Sequence, residues 1–122
     1  MTDRPLPALR LRLTLPGDVP FGPGKADLLQ GISETGSISA AGRAMSMSYR
    51  RAWTLVEEMN AAFATPLVET SRGGAEGGGA KLSQQGIAML ALYRRMQRDA
   101  ETVTAQTRAG VAAMLANMSD ET

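Results

Sequence analysis

Apolar and polar positions alternate strictly over residues 9–15, with Leu9, Leu11, Leu13 and Leu15 on one side and Arg10, Arg12 and Thr14 on the other. A period of two predicts a half-buried strand, because successive side chains leave a strand on opposite faces. Pro16-Gly17-Asp18 ends it with turn-forming residues. After Pro23-Gly24 the period lengthens. Leu28, Leu29 and Ile32 give one apolar side to a helix from Lys25 to about Thr35, and Gly36 suits the left-handed residue that closes many helices. A second, short helix starts near Ser37 or Ser39, either of which can cap it. Its body, Ala40-Ala41-Gly42-Arg43-Ala44-Met45, is almost wholly small side chains, which let a neighbouring helix approach closely. Ser46-Met47-Ser48 interrupts the pattern, and Ser48 reads as the cap of a third helix running to about Ala64. Within it Ala52, Val56, Met59 and Phe63 recur at steps of four, three and four, a core stripe that leaves Tyr49, Arg50, Thr54 and Glu57 off it.

Pro66 ends that helix and the period changes again. Leu67-Val68-Glu69-Thr70 predicts a short strand and Ala80-Lys81-Leu82 its return, while the span Arg72–Gly79 between them holds five glycines. Glycine leaves the backbone nearly unrestricted, so this span is expected to be the most mobile of the chain and the hairpin to form a wing. From Ser83 to about Met118 the helical period returns. Met89, Leu92, Met96, Val103, Val111, Met114 and Met118 fall roughly on one stripe, and Gly110 is the expected point of bending. So long a stripe outruns the small body ahead of it, and a second copy of the chain is the simplest thing to bury it. The order is strand, three helices, hairpin, long helix. That predicts a mainly α fold with a small β component, a winged helix-turn-helix. Residues 1–122 form one domain, in which 9–82 are the strand and winged helix-turn-helix and 83–118 a long helical dimerisation segment.

Composition narrows the chemistry. The 122 residues, 43% of them hydrophobic, fit one domain of ordinary globular character. There is no cysteine and no histidine, which removes disulfides, thiolate nucleophiles, imidazole bases and the usual zinc sites together. The acids form no ligand-like cluster; pairs such as Glu57-Glu58 and Asp99-Glu101 read as surface charge. No catalytic residue, cofactor or metal is therefore expected, and the chain is not expected to be an enzyme. Most of the eight methionines occupy helical stripes and read as core or interface contacts rather than metal ligands. The amino terminus lacks the order of a secretory signal and no apolar run approaches the ~20 residues of a membrane span, so a cytoplasmic location is expected.

With thirteen basic and twelve acidic residues the net charge is only +1, so any nucleic-acid surface must come from local placement. Residues 36–81 carry Arg43, Arg50, Arg51, Arg72 and Lys81 against Glu57, Glu58, Glu69 and Glu76. The paired arginines of the third helix lie two turns ahead of Glu57 and Glu58, which polarises that helix along its length. Its first turn, Ser48, Tyr49, Arg50 and Arg51, combines free backbone amides that favour a phosphate with guanidinium groups that can reach a phosphate or the O6 and N7 of guanine. Arg72 and Lys81 on the wing suit flanking phosphates or minor-groove edges. Ser37 and Ser39 are caps first and possible phosphate donors second. Tyr49 reads either as a contact or as an aromatic packed on the wing, and Trp53, beside the core stripe, as structural more readily than base-contacting. The glycine loop is no nucleotide cradle, since no Gly-Lys-Ser/Thr follows it.

The run Glu34-Thr35-Gly36-Ser37-Ile38-Ser39-Ala40-Ala41, continued by Ser48-Tyr49-Arg50-Arg51-Ala52-Trp53, resembles the DNA-binding domain of ModE-type molybdate-responsive regulators. Pro66-Leu67-Val68-Glu69-Thr70, Gly77-Gly78-Gly79-Ala80 and Leu82-Ser83-Gln84-Gln85-Gly86 extend the match, which spans roughly residues 9–98; LysR-type regulators share the looser pattern. The resemblance implies a sequence-specific transcriptional regulator that binds double-stranded DNA at palindromic operators, as a homodimer formed through the first strand and the long final helix. It puts Ser48, Tyr49, Arg50 and Arg51 on the recognition helix, with Thr54 on the same helix. Two departures stand out. Gly42 replaces the family's usual alanine, at up to ~1 kcal/mol of helix propensity, and Met45-Ser46 replaces a more usual Leu-Gly at the turn. Full-length members carry carboxy-terminal molybdate-binding domains, for which these residues leave no room, so molybdate sensing is not expected of them. Two other readings stay open: a winged-helix module that binds another protein, and an oxyanion sensor near Arg94, Arg95 and Arg98 or at a dimer interface.

Overall fold

The structure, a computed structural model, describes residues 5–71 and 79–116. The chain first reverses at Gly17 (φ 82°) and Asp18 (φ 60°), left-handed residues that turn β1 (Leu13–Leu15) back on β2 (Val19–Phe21) as an antiparallel hairpin. The expected strand over 9–15 is thus shorter, because only its last three residues find a partner strand. Its alternation survives as burial: Leu11, Leu13 and Leu15 are half-buried, and Arg10, Arg12 and Thr14 are exposed. The partner strand was not legible in the sequence, since three residues with a central proline show no period. Phe21 at its end is fully buried.

Helix α1 (Pro23–Thr35) begins with proline in its first turn, where a missing N–H costs nothing. It ends at Gly36 (φ 72°), whose N–H donates to the Ile32 carbonyl at 2.8 Å. Its Ala26, Leu28, Leu29 and Ile32 are fully buried, and each buried leucine or isoleucine contributes roughly 1.5–3 kcal/mol. Helix α2 (Ile38–Ala44) is capped by Ser37, whose hydroxyl oxygen accepts from the Ala40 N–H at 3.0 Å. Helix α3 (Tyr49–Ala62) is capped likewise by Ser48, accepting from the Arg51 N–H at 3.0 Å. Between them Ser46 adopts a left-handed φ of 59°, the conformation a glycine would take at this turn. The small residues of α2 serve close packing on both sides. A Cβ on Gly31 would stand 3.0 Å from the Ala41 Cβ, and one on Gly42 would stand 2.8 Å from the Ala52 Cβ. Gly42 therefore answers to the α2–α3 approach. On α3, Ala52, Val56 and Met59 are buried as the stripe predicts; Leu55 joins them, and Phe63, just past the helix end, is only half-buried.

Strands β3 (Val68–Ser71) and β4 (Gly79–Leu82) pair antiparallel, Val68 opposite Leu82 and Ser71 opposite Gly79. The hairpin loop, with Arg72, lies outside the described residues. Asn60 of α3 clamps the base of this hairpin. Its amide oxygen accepts from the Leu67 and Val68 N–H groups at 2.9 and 3.1 Å, and its Nδ2 donates to the Val68 carbonyl at 3.1 Å. Ser83 holds the other strand: its N–H donates to the Leu67 carbonyl at 2.8 Å and its hydroxyl to the Pro66 carbonyl at 2.7 Å.

Ser83 also caps α4 (Gln84–Val103), which a short break at Thr104 separates from α5 (Ala105–Met114). The interruption is not at Gly110, which sits inside α5 with nothing near it. It falls at Thr104, where the Arg108 guanidinium bonds back to the preceding turn. Arg108 donates to the Glu101 carbonyl at 2.6 Å, the Thr104 hydroxyl at 2.9 Å and the Pro7 carbonyl at 3.2 Å. A side chain inserted into the backbone ladder is one of the few things that kinks a helix. On α4 the apolar positions divide between two faces. Met89 and Tyr93 turn to the body, where Tyr93 is fully buried, edge-on to Phe21 at 5.3 Å, and donates its hydroxyl to the Leu11 carbonyl at 2.6 Å. Ile87, Leu92 and Val103 face away, 58%, 58% and 78% exposed. Three helices with a tight α2–α3 turn, followed by a β-hairpin, make a winged helix-turn-helix.

Candidate nucleic-acid interface

The amino-terminal turn of α3 is where exposed charge gathers. Serine capping fixes its start, and Ala52, Val56 and Met59 pin one side to the core, so the residues ahead of and between them must point outward. Tyr49 is 63% exposed; Ser48, Arg50 and Arg51 are exposed with it. Neither arginine forms an ion pair among the described residues, and Arg43 and Lys81 form none either. The acidic end of the same helix is partly neutralised. Glu58 meets the buried Lys25 at 3.1 Å, and the Lys25 ammonium also donates to the Pro20 carbonyl at 2.6 Å. This pair leaves the two free guanidinium groups facing solvent at one end and engages a carboxylate at the other.

The remaining predicted positions divide. Thr54 is half-buried and its hydroxyl donates to the Arg50 carbonyl at 3.0 Å, which braces the first turn but uses its proton. Ser37 is the α2 cap; Ser39 is not, but its hydroxyl lies 3.4 Å from that of Ser37 and both are half-buried. Lys81 is exposed on β4 opposite Glu69, and Arg72 lies outside the described residues. The wing and the α1–α2 turn are joined directly, because the Ala80 N–H donates to the Gly36 carbonyl at 2.9 Å. Lys81 and Ser37 are therefore each one residue from a shared hydrogen bond, which brings the wing to the edge of the helix-turn-helix. Among the described residues the ring contact of Tyr49 is with Trp53, centroids 6.1 Å apart at 63°.

Three residues that position this surface escaped sequence reasoning. Asn60 and Ser83 hold the wing, and Tyr93 holds α4. A polar residue at a helical step behind the Val56 side offers a faint signal for Asn60, and a serine ahead of a helical period marks Ser83 only as a cap; nothing local marks Tyr93. Two of the α4 arginines are already paired. Arg94 donates to Asp27 at 2.9 Å and to Gln97 at 3.0 Å, and Arg95 meets Asp99 at 3.7 Å on an exposed turn. Among the described residues no group of three acidic, histidine or cysteine side chains could hold a metal ion, and no helix is long and apolar enough to cross a membrane.

The chain is similar to the molybdenum-pterin-binding protein MopB of Rhodobacter capsulatus, 44% identical over 73 residues that cover 60% of this chain and 27% of MopB. MopA of the same organism, also named a molybdenum-pterin-binding protein, is 37% identical over 91 residues, 75% of this chain and 34% of MopA. The DNA-binding transcriptional dual regulator ModE of Escherichia coli K12 is 39% identical over 71 residues, 58% of this chain and 27% of that regulator. The chain spans about a third or less of the length of these relatives. No protein-family model matches it. Its fold is that of the protein in the crystal structure of the CbnR DBD–DNA complex, with a TM-score of 0.56 at 22% identity over 72% of this chain and 95% of that one. The resemblance to ModE-type regulators and the winged helix-turn-helix read from the sequence both hold.

Proposed function

We infer that this ModE-like winged helix-turn-helix is a DNA-binding element of a transcriptional regulator, with α3 as the recognition helix. The observation that carries the reading is the first turn of α3: Arg50 and Arg51, exposed and without an ion pair among the described residues, stand behind a capping Ser48, next to a hairpin hydrogen-bonded to the α1–α2 turn. In this geometry the helix end enters the major groove, α2 crosses the backbone, and the wing with Lys81 and Arg72 grips a flanking phosphate or minor-groove edge. Tyr49, Ser37, Ser39 and Thr54 complete or brace that surface.

The working form on this reading is a homodimer. Leu92 and Val103 on α4 and Val111 and Met114 on α5 are 45–84% exposed, an apolar surface that a second copy would cover. Two recognition helices related by a two-fold axis would then read a palindromic operator with half-sites about one DNA turn apart. Of the arginines named for the oxyanion reading, Arg94 and Arg95 already have carboxylate partners, which weighs against a site built on those two. The protein-module reading is a winged-helix dimer that binds another protein and has lost DNA, so it predicts no binding to a duplex; light scattering on the purified chain tests the dimer itself.

The test is fluorescence anisotropy with a short labelled duplex of mixed sequence at roughly 50 mM salt, where phosphate contacts dominate. Binding that weakens steeply as salt rises is expected. Arg50→Ala should weaken it by about tenfold or more, in line with ~1–3 kcal/mol per good contact. No binding by the wild-type chain would refute the reading; unchanged affinity in Arg50→Ala would remove Arg50 from the surface.

A further inference from the structure

The indole N–H of Trp53 is the one buried side-chain polar atom without a hydrogen-bond partner among the described residues. Folded proteins satisfy nearly all such donors, so an orphan calls for an explanation. The Trp53 ring is half-buried and packs against the core. Its position on α3 supplies the explanation. Residues three and four apart share a helix face, which puts Trp53 in line with Arg50 and Tyr49, the side chains this helix presents to solvent. Tyr49 is the outer member of the ring pair, 63% exposed against a half-buried Trp53. No hydrogen bond holds the Tyr49 hydroxyl among the described residues, so rotation of its side chain breaks only the ring contact.

Resting on the DNA-binding reading above, we propose that Trp53 is itself a DNA-contacting residue: its Nε1–H is kept dry beneath Tyr49 in the free protein and donates to a backbone phosphate oxygen once docking displaces the Tyr49 ring. Indole is a donor only, and the phosphate oxygens are the densest acceptors on a duplex. A phosphate bound here would also meet the exposed amide groups and Arg50 at the start of α3, which favour an anion. The unmet donor thus persists in the free state because its acceptor arrives with the ligand. A phosphate contact carries no sequence information, so it contributes equally on any duplex.

Trp53→Phe keeps an aromatic ring against the core and removes the donor together with the pyrrole half of the indole. Against the labelled mixed-sequence duplex at roughly 50 mM salt, wild-type binding with a loss of about tenfold in Trp53→Phe is the expected result, since hydrogen bonds to charged groups are the stronger class. The smaller ring loses packing, which removal of an unpaired buried donor offsets in part, so Trp53→Phe should stay folded with a modestly lower melting temperature; a purely structural tryptophan would leave affinity alone. Trp53 is the only tryptophan in the chain, so its emission should also change as duplex saturates the wild-type protein. Equal affinity of wild type and Trp53→Phe overturns the proposal while leaving DNA binding intact. Should Trp53→Phe fail to fold, wild-type emission unmoved at saturating duplex overturns it as well. Absence of any wild-type binding removes the DNA-binding reading and this one with it.

Discussion

Replacing Gly86 with alanine should cost more than any other single methyl added to this fold. Gly86 lies in the first turn of α4, where the helix crosses the base of the wing. A Cβ there would stand 2.2 Å from the Leu67 carbonyl oxygen, 3.1 Å from its carbon and 3.3 Å from the Leu82 Cβ. Ordinary contact begins at 3.4 Å, so strand and helix must part by the difference from 2.2 Å, or 1.2 Å. Neither neighbour is a flexible side-chain tip. The same carbonyl accepts from the Ser83 N–H at 2.8 Å and the Ser83 hydroxyl at 3.3 Å, and separation of that size breaks both. Two hydrogen bonds at ~1 kcal/mol each and overpacking of roughly 1–3 kcal/mol exceed the gain of up to ~1 kcal/mol in helix propensity. The net loss is about 2–4 kcal/mol, which for a domain of this length lowers the melting temperature by about 8–15 °C. Thermal unfolding followed by far-UV circular dichroism measures it. Gly110→Ala is the internal control: Gly110 has nothing within 4 Å of its would-be Cβ, so the same substitution should stabilise by up to ~1 kcal/mol. A Gly86→Ala protein that melts within a couple of degrees of wild type would refute the close approach of α4 to the wing.

Other outcomes follow from single contacts. Ser48→Ala leaves the Arg51 N–H without its acceptor and should cost ~1 kcal/mol, read by urea unfolding; because the lost cap also loosens the turn that carries Arg50 and Arg51, DNA affinity should fall with it. Tyr93→Phe removes the hydroxyl bond to the Leu11 carbonyl and should cost roughly 1 kcal/mol at neutral pH. Burial pushes the Tyr93 phenol above its ordinary value; Asp27 adds to the rise and Arg94 opposes it. A folded-state pKa above the unfolded one means stability that is fully present below the ordinary phenol value near 10 and is lost as pH climbs through the raised value. Denaturant titrations across that alkaline range should show the wild type losing stability and Tyr93→Phe losing less.

Local chemistry wrote much of this structure into the sequence. Pro23 and Gly36 bound α1, Ser37 and Ser48 cap α2 and α3, and the small residues of α2 announce close helix contact, because capping and left-handed turns depend on residues only a few positions apart. The exposed first turn of α3 follows from the same reasoning, since a buried stripe of Ala52, Val56 and Met59 fixes what must face outward. Tertiary structure alone decided the rest. Whether Leu9 belongs to a strand depends on a partner segment, and that partner is only Val19–Phe21. The long helix breaks at Thr104, beside an Arg108 that also reaches the Pro7 carbonyl about a hundred residues away in the chain, while α5 continues through Gly110. The seat of the wing on Ser83 and the bond of Tyr93 to the Leu11 carbonyl likewise join groups distant in sequence. Such contacts have no period to read, because folding, not spacing, brings their two halves together.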